Sequence, residues 1–364
     1  MKKKNEMTNQ KINVLVADDS KVARMLLVHV LESDLQICVI GAVGDGQAAL
    51  DFVLENRPDV IVMDIHMPKL NGFEATRLIM ETKPVPIIIC TATTDPKEVA
   101  TTFRMMEAGA VACVEKPVAR ESAGFERLVA ELLETVKLMS EVKVVRRWSR
   151  SRSSAATIKR QAVLNPAVGV TLVGIGASTG GPPVLQTILS GLTKDFPGSL
   201  LIVQHIAHGF LRGMVEWLNQ TTGLQVHVAS HGICPMPGHV YLAPDDFHMG
   251  VGAGGRILLE GGEPENGLRP AVSFLFRSLA ETRGPDAVGV LLTGMGKDGA
   301  AELKLMKDKG AITVAQDRES SVVHGMPGEA IALGGATHVL SADKIAGALV
   351  TLVNRAHSSG GMKL

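Results

Sequence analysis

Short apolar runs alternate with amphipathic helical patterns in two separate blocks of this 364-residue chain. In the first block, the runs of strand length are residues 12–17, 37–43, 60–63, 86–91 and 111–114. Helical periodicity lies between them, for example over residues 22–31 and 47–54. Strands and helices that alternate in this way form a parallel sheet with helices on both faces. The first block is therefore predicted to be an α/β domain of βα units.

The second block begins near residue 168 and repeats this pattern less regularly. Its predicted strands are residues 168–174, 200–204, 239–242, 287–292 and 312–315. Helical patterns follow the first, second and fourth of these strands, and a hairpin is predicted over residues 251–259. A second α/β domain with a parallel sheet is the expected result.

Between the two blocks, an amphipathic helix over residues 125–139 leads into a basic, serine-rich run at residues 143–160. No Asp or Glu occurs between Glu141 and Asp195. A run of this kind is most often a solvated linker, and binding to an acidic partner surface or to membrane phosphates is the alternative. Residues 1–10 and 358–364 are predicted to be disordered tails.

The charge balance and the cysteine pattern argue against several classes of protein. Lys and Arg together number 37, as do Asp and Glu, so the net charge gives no sign of a nucleic-acid binder. The four cysteines are scattered without a CxxC pair, as in proteins of a reducing compartment. No signal-peptide region and no apolar run of membrane-spanning length are found. A soluble, cytoplasmic protein without membrane insertion is predicted.

Acidic residues follow two strands of the first block, where functional groups converge in a doubly wound sheet. Asp18 and Asp19 come after the first strand, and Asp64 after the third. Three carboxylates that meet there would repel one another without a divalent cation, and oxygen ligands of this type suit Mg²⁺. Thr91 ends the fourth strand and Lys116 follows the fifth, so a phosphoryl group near the metal would meet a hydroxyl and an ammonium group.

These residues resemble the receiver domains of two-component response regulators over about residues 11–120. The motifs that carry the resemblance are Asp18-Asp19, Asp64-Ile65-His66-Met67-Pro68 with Asn71-Gly72, Thr91-Ala92 and Lys116-Pro117. The resemblance implies that Asp64 accepts a phosphoryl group, that Asp18 and Asp19 help hold Mg²⁺, and that Thr91 and Lys116 sense the phosphorylation. Many receivers carry an aromatic switch residue three positions before the lysine, where this chain has Cys113.

The second block opens with a glycine-rich segment at residues 174–183, predicted as the end of a buried strand, a turn and a helix that begins with prolines. Three residues separate Gly176 from Gly180, so the G-x-G-x-x-G spacing of dinucleotide-binding proteins is not met. The next strand ends in Gln204 and His205 rather than in an acid that would bind a ribose. A P-loop is excluded because no Gly-Lys-Ser/Thr follows the glycines.

The alternative is that Ser178 in this turn is a nucleophile. His205 ends the next strand and Asp298 follows a later one, so a parallel sheet would bring all three residues to one edge. Histidine activates a serine by taking its proton, and a carboxylate orients the histidine. The N–H groups of Thr179 or Gly180 would receive the oxyanion.

Each of these residues also has a structural explanation. Ser178 and Asp298 fit as helix caps and His205 as a core histidine, so the residues alone favour a serine hydrolase without proving it. A metal pair formed by His205 and His208 lacks further ligands nearby.

Motifs across residues 168 to about 350 resemble the chemotaxis protein-glutamate methylesterase family, CheB. They are Gly-Ala-Ser178-Thr179-Gly-Gly, Gln204-His205-Ile206, Arg269-Pro270, the run from Thr293 to Gly299, and Gly325-Met326-Pro327. The resemblance implies that Ser178 is the nucleophile, His205 the general base and acid, and Asp298 the orienting acid. Thr179 and Met295 would line the oxyanion and substrate region. The family often has an acidic residue where this chain has Ser273, a difference expected to affect loop packing or substrate contact but not the triad.

The expected fold class is α/β, with a flavodoxin-like (βα)5 receiver at residues 11–125, a helix and linker at 126–167, and a doubly wound, parallel-sheet hydrolytic domain at 168–357. The resemblance implies a monomeric esterase that demethylates glutamates, and deamidates glutamines, on methyl-accepting chemotaxis receptors. A CheA-type histidine kinase would phosphorylate the receiver with Mg²⁺, releasing the crevice that the unphosphorylated receiver covers. The ester hydrolysis itself needs no cofactor. The alternatives are an inactive, phospho-switched binding protein of a chemosensory array and a dinucleotide-dependent enzyme.

Overall fold

The structure is a computed structural model, and it describes residues 11–92, 96–117, 124–142, 144 and 172–359. The predicted tail at residues 1–10 and nearly all of the basic run at 143–160 lie outside the described residues. The chain divides into two compact units, each built on its own sheet. Within the described residues, no helix is both long and apolar enough to cross a membrane.

The first sheet contains five parallel strands in the order β2-β1-β3-β4-β5. The elements are β1 (Ile12–Ala17), α1 (Lys21–Glu32), β2 (Ile37–Val43), α2 (Gly46–Glu55), β3 (Val60–Met63), α3 (Gly72–Thr82), β4 (Ile87–Thr91), α4 (Pro96–Ala108), β5 (Ala112–Glu115) and α5 (Phe125–Ser140). This is the flavodoxin-like order, so the predicted fold class is confirmed for this unit. All residues of β3 and β4 are buried, because helices cover both faces of the sheet.

The second sheet contains seven parallel strands in the order β14-β13-β12-β6-β7-β9-β8. Its unit comprises β6 (Leu172–Ala177), α6 (Gly181–Ser190), β7 (Ser199–Gln204), α7 (Leu211–Thr222), β8 (Gln225–Val228), β9 (His239–Leu242), β10 (His248–Val251), β11 (Ile257–Glu260), α8 (Val272–Thr282), β12 (Ala287–Leu291), α9 (Ala300–Asp308), β13 (Ile312–Gln316), α10 (Met326–Ala332), β14 (His338–Leu340) and α11 (Ala342–Ser359). Strands β10 and β11 form the predicted antiparallel hairpin. The doubly wound, parallel sheet is therefore confirmed.

The glycines before Ser178 lie inside β6 rather than in a turn, which corrects the predicted strand end at residue 174. Strand β6 continues to Ala177 because its last residues pair with β7 and β12. A Cβ atom at Gly174 would lie 2.4 Å from Leu279, and one at Gly176 would lie 2.3 Å from Val272. Both glycines therefore allow α8 to pack closely against the strand, which is a packing role and not a nucleotide-binding one.

Strands β8 and β14 and the C-terminal end of helix α11 also differ from the sequence prediction. The prediction did not include the edge strands β8 and β14, which are short and only partly buried. Helix α11 extends to Ser359, so residues 358 and 359 of the predicted tail are helical, and residues 360–364 lie outside the described part.

The chain reverses its direction of strand addition next to β6. After β6 it adds β7, β8 and β9 on one side, and it then returns to add β12, β13 and β14 on the other. In open α/β sheets, such a switch point creates a crevice at the carboxyl ends of the two central strands. Here these strands are β6 and β12, whose following loops contain Ser178 and Asp298.

Candidate active site

Ser178 and His205 immediately follow two paired, parallel strands. Ala177, the last residue of β6, is in register with Gln204, the last residue of β7. The N–H of His205 donates a hydrogen bond to the Ala177 carbonyl at 2.9 Å. Because neighbouring strands lie about 4.8 Å apart, the two residues lie next to each other at the same edge of the sheet.

The backbone of Ser178 is held on the side of β12. Its N–H donates to the carbonyl of Thr293 at 3.0 Å. A Cβ atom at Gly294 would lie 2.7 Å from the Cβ of Ser178 and 2.3 Å from the sulfur of Met326. The loop after β12 therefore touches the candidate nucleophile, and only a glycine fits at position 294.

Asp298 is buried at the start of α8 and accepts several hydrogen bonds there. Its Oδ2 accepts from the Val272 N–H at 2.6 Å, and its Oδ1 accepts from the Ser273 N–H at 3.0 Å. The Ser273 hydroxyl donates to the same Oδ1 at 2.5 Å. The carboxylate therefore lies at the amino end of α8, where the helix dipole is positive. Burial raises the pKa of Asp298, but contact with His205 and donation by Ser273 and Val272 outweigh it, so this pKa lies below its ordinary value.

His205 contacts Asp298 through one of its two ring nitrogens. The Nε2 of His205 lies 3.0 Å from the Oδ2 of Asp298, and the His205 side chain is only 12% exposed. The two atoms are close, but the contact does not meet the geometry of a hydrogen bond. This contact leaves Nδ1 as the ring nitrogen available to Ser178. Such pairs often tighten only when substrate is bound.

Ser273 is the main correction to the sequence prediction at this site. The residue was expected to affect loop packing or substrate contact without touching the triad. Its hydroxyl and its N–H instead both donate to Asp298. No local signal reveals this contact, because 25 residues separate the two positions and packing of α8 brings them together.

The candidate oxyanion donors lie at the amino end of α6. Thr179 and Met295 are partly buried, and Gly180 is buried with a φ of 77°. Within the described part of the chain, the N–H groups of Thr179 and Gly180 donate no hydrogen bond. Free N–H groups at the start of a helix are suited to a developing negative charge.

Among the described residues, His208 belongs to no cluster of three metal-ligating side chains. Its Nε2 instead lies 3.2 Å from the Oδ2 of Asp246, and both side chains are exposed.

In the first unit, the predicted acidic residues do converge. One carboxylate oxygen from each of Asp18, Asp19 and Asp64 lies within 4.8 Å of the others. The Nζ of Lys116 lies 2.8 Å from Asp18 and 3.0 Å from Asp64. An all-oxygen donor set of this kind fits Mg²⁺. Thr91 is at the same edge, because its carbonyl accepts a hydrogen bond from the Lys116 N–H at 2.8 Å.

The electrostatics of this cluster reflect carboxylates crowded around one lysine. Burial raises the pKa of Asp64 above its ordinary value, Lys116 opposes this shift, and Asp18 adds to it. Burial lowers the pKa of Lys116, but its ion pairs with Asp18 and Asp64 outweigh burial and raise it. Cys113 is partly buried on β5, where it pairs with Ile89 of β4.

Comparison with known proteins identifies both units. Residues 173–349 match the family model described as CheB methylesterase, and residues 14–124 match that of the response regulator receiver domain. A protein-glutamate methylesterase/protein-glutamine glutaminase of Nitrosospira multiformis is 56% identical over 94% of this chain and 97% of its own length. A second, from Geobacter metallireducens, is 51% identical over 94% of this chain and 99% of its own.

Solved structures are similar to each unit separately. The CheB methylesterase catalytic domain of Thermotoga maritima is 40% identical, with a TM-score of 0.49, and covers 51% of this chain and 100% of its own. The response regulator domain of Thermotoga maritima CheB is 38% identical, with a TM-score of 0.34, over 37% of this chain and 99% of its own.

Proposed function

This chain belongs to the CheB methylesterase family with a response regulator receiver domain, and from that membership we propose that Ser178, His205 and Asp298 perform its hydrolysis. As a member, it is a carboxylic ester hydrolase that demethylates glutamate methyl esters and deamidates glutamines in chemotaxis. The observation that supports the residue assignment is the 3.0 Å contact between His205 and Asp298 beside Ser178.

The proposed reaction begins with attack by the Ser178 hydroxyl on the side-chain ester carbonyl of a methylated glutamate. His205 takes the hydroxyl proton as the bond forms, and Asp298 stabilises the resulting imidazolium. The N–H groups of Thr179 and Gly180 stabilise the oxyanion of the tetrahedral intermediate, and Met295 lines the substrate region beside them.

Collapse of this intermediate breaks the bond between carbonyl carbon and methoxy oxygen. His205 returns its proton to the leaving group, so methanol departs and Ser178 is left acylated. Water then attacks the acyl carbonyl while His205 takes one of its protons. The bond between the acyl carbon and the Ser178 oxygen breaks, and His205 gives the proton to that oxygen, which releases glutamate and regenerates the Ser178 hydroxyl. The same series of steps, with the side-chain amide of glutamine in place of the ester, releases ammonia.

The receiver is proposed to control this activity through phosphorylation of Asp64 by a histidine kinase. Asp18, Asp19 and Asp64 would hold Mg²⁺, which neutralises charge on a phosphoryl group when it is bound. Lys116 would pair with the phosphoryl oxygens, and Thr91 would donate its hydroxyl to one of them. The substrates proposed are methyl-accepting chemotaxis receptors, and the site of action is the cytoplasm. The enzyme is also proposed to act as a monomer.

Replacement of Asp64 by asparagine is expected to abolish the response to phosphorylation, because the amide cannot accept the phosphoryl group. The measurement is methanol release from methylated receptors with and without acetyl phosphate and Mg²⁺. Asp51→Asn, at an exposed position on α2, is the matched control and keeps the response. An Asp64→Asn enzyme that is stimulated as strongly as wild type would count against Asp64 as the phosphoacceptor.

Replacement of Gly294 by alanine is expected to displace Ser178, because the added Cβ would lie 2.7 Å from the Cβ of Ser178. A shift of about 1 Å at a reacting group costs roughly 100-fold in rate. The kcat for methanol release should fall by that factor. Gly296→Ala is the control, since no atom lies within 4 Å of a Cβ there, although its φ of 75° adds backbone strain. Equal losses in both variants would show that general loop strain, and not displacement of Ser178, lowers the rate.

A further inference from the structure

Gln204 joins the backbones of the nucleophile and the base. It is the last residue of β7, and the residue is only 6% exposed. Its Nε2 donates to the Ser178 carbonyl at 2.9 Å and to the His205 carbonyl at 2.7 Å. One buried amide group therefore holds both carbonyls at once.

The Ser178 carbonyl accepts from Gln204 and also from the Gly181 N–H, at 2.8 Å within the turn, and the direction of this carbonyl determines where the next N–H points. Within the described residues only Arg269–Pro270 is cis, so the peptide that joins Ser178 to Thr179 is trans. In a planar trans peptide the C=O and N–H point in opposite directions. The Ser178 carbonyl faces Gln204 on the β7 side, so the Thr179 N–H faces away from β7. On that other side of β6 lies β12, the strand that leads to Met295.

This orientation matches what the reaction requires. The base, His205, approaches Ser178 from β7, and an oxyanion donor has to lie on the other side of the attacked carbonyl. Building on the proposed function, we propose that Gln204 is a positioning residue that aims the Thr179 N–H into the oxyanion hole.

Neighbouring groups support this role. A Cβ atom at Gly181 would lie 2.1 Å from the Oε1 of Gln204, so the glycine leaves room for the amide. Positions 182 and 183 are prolines, which supply no N–H to the turn. On the other side of the turn, the Thr293 hydroxyl donates to the Thr179 carbonyl at 2.9 Å. The Thr179 backbone is thus held from both neighbouring strands.

The test replaces Gln204 with methionine, which has similar volume but no N–H group, and with glutamate, which keeps the shape and has no donor in its ionised form. Loss of one oxyanion donor lowers kcat by about 100-fold or more. Methanol release by both variants should show this loss in kcat, with a KM close to that of wild type. Hydrolysis of the ester and of the glutamine amide should fall by the same factor, because both reactions form the oxyanion.

Thr313→Val is the matched control for loss of a buried hydrogen bond. The Thr313 hydroxyl is fully buried on β13 and donates to the Gly335 carbonyl at 2.6 Å, away from Ser178. This variant should lose stability without the fall in kcat. A kcat within threefold of wild type for Gln204→Met, or an equal loss of kcat in Thr313→Val, would overturn the proposal.

A spectroscopic measurement distinguishes a change in the position of the Thr179 N–H from a general loss of structure in the Gln204 variants. In full-length protein labelled with ¹⁵N-threonine, the Thr179 amide resonance should move in the Gln204 variants, while the Thr102 and Thr351 resonances stay in place. A fall in kcat with an unmoved Thr179 resonance would overturn the role of Gln204. If Ser178→Ala retained turnover, the proposed function would fail instead, so the two failures are distinguishable.

Discussion

Replacement of Asp298 by asparagine is expected to lower kcat for methanol release by about 10⁴-fold, as when the acid of a serine triad is neutralised. The two carboxylate oxygens of Asp298 accept from Val272 and from Ser273, and Oδ2 also lies 3.0 Å from the Nε2 of His205. An asparagine carries one NH₂ group, which would face either the helix N–H groups or the ring N–H of His205. Either arrangement sets two donors against each other and favours the wrong histidine tautomer.

Asp286→Asn, at an exposed position before β12, is the control and should leave kcat unchanged. An Asp298→Asn enzyme that retained a tenth of the wild-type kcat would contradict the role of Asp298 as the orienting acid.

The same variant has a pH-dependent consequence for stability. The pKa of Asp298 is lowered in the folded protein, so its charge contributes stability above the unfolded pKa of about 3.9. That contribution is lost as the pH falls through the lower, folded-state pKa. The difference in the free energy of unfolding between wild type and Asp298→Asn should therefore narrow below about pH 4. Urea unfolding of both proteins at neutral and at acidic pH measures this difference. A difference in the free energy of unfolding that does not change with pH would contradict the lowered pKa of Asp298.

Replacement of Ser178 by alanine is expected to remove turnover on the order of 10⁶-fold, because no other group can form the acyl-enzyme. Ser178 begins the turn between β6 and α6, and its backbone is held by Thr293 and Gln204. The substitution removes only the hydroxyl oxygen, so the fold should be retained. The measurement is the initial rate of methanol release, together with the thermal unfolding midpoint.

Ser190→Ala, at the exposed end of α6, is the matched control and should keep wild-type kcat. Residual turnover in Ser178→Ala above about 1% of wild type would remove Ser178 from the mechanism.

Most of the fold follows from local sequence patterns. The strands of the first unit agree with the prediction to within one residue at each end, because buried parallel strands are short apolar runs bounded by turn residues. Strands β8 and β14 lie at the sheet edges and bury few side chains, so their hydrophobic signal is weak. The glycines of β6 look like a turn in the sequence, and only the packing of α8 explains them.

The candidate site likewise contains residues that local sequence predicts and residues that it does not. Ser178, His205 and Asp298 were identifiable because each follows a strand that ends at one sheet edge. The residues that hold these three in position could not be identified from the sequence. Ser273 reaches Asp298 only through the placement of α8, and the two carbonyls held by Gln204 become neighbours only through the pairing of β6 with β7. Local patterns predict the reacting groups, whereas contacts distant in sequence determine their orientation.

Methanol release from receptors that carry labelled methyl esters tests the central claim most directly. Wild-type protein should release methanol, and acetyl phosphate with Mg²⁺ should raise the rate. Ser178→Ala should release none above background under either condition. Absence of release from the folded wild-type protein, with and without the phosphodonor, would contradict the assignment of this chain as a phosphorylation-controlled methylesterase.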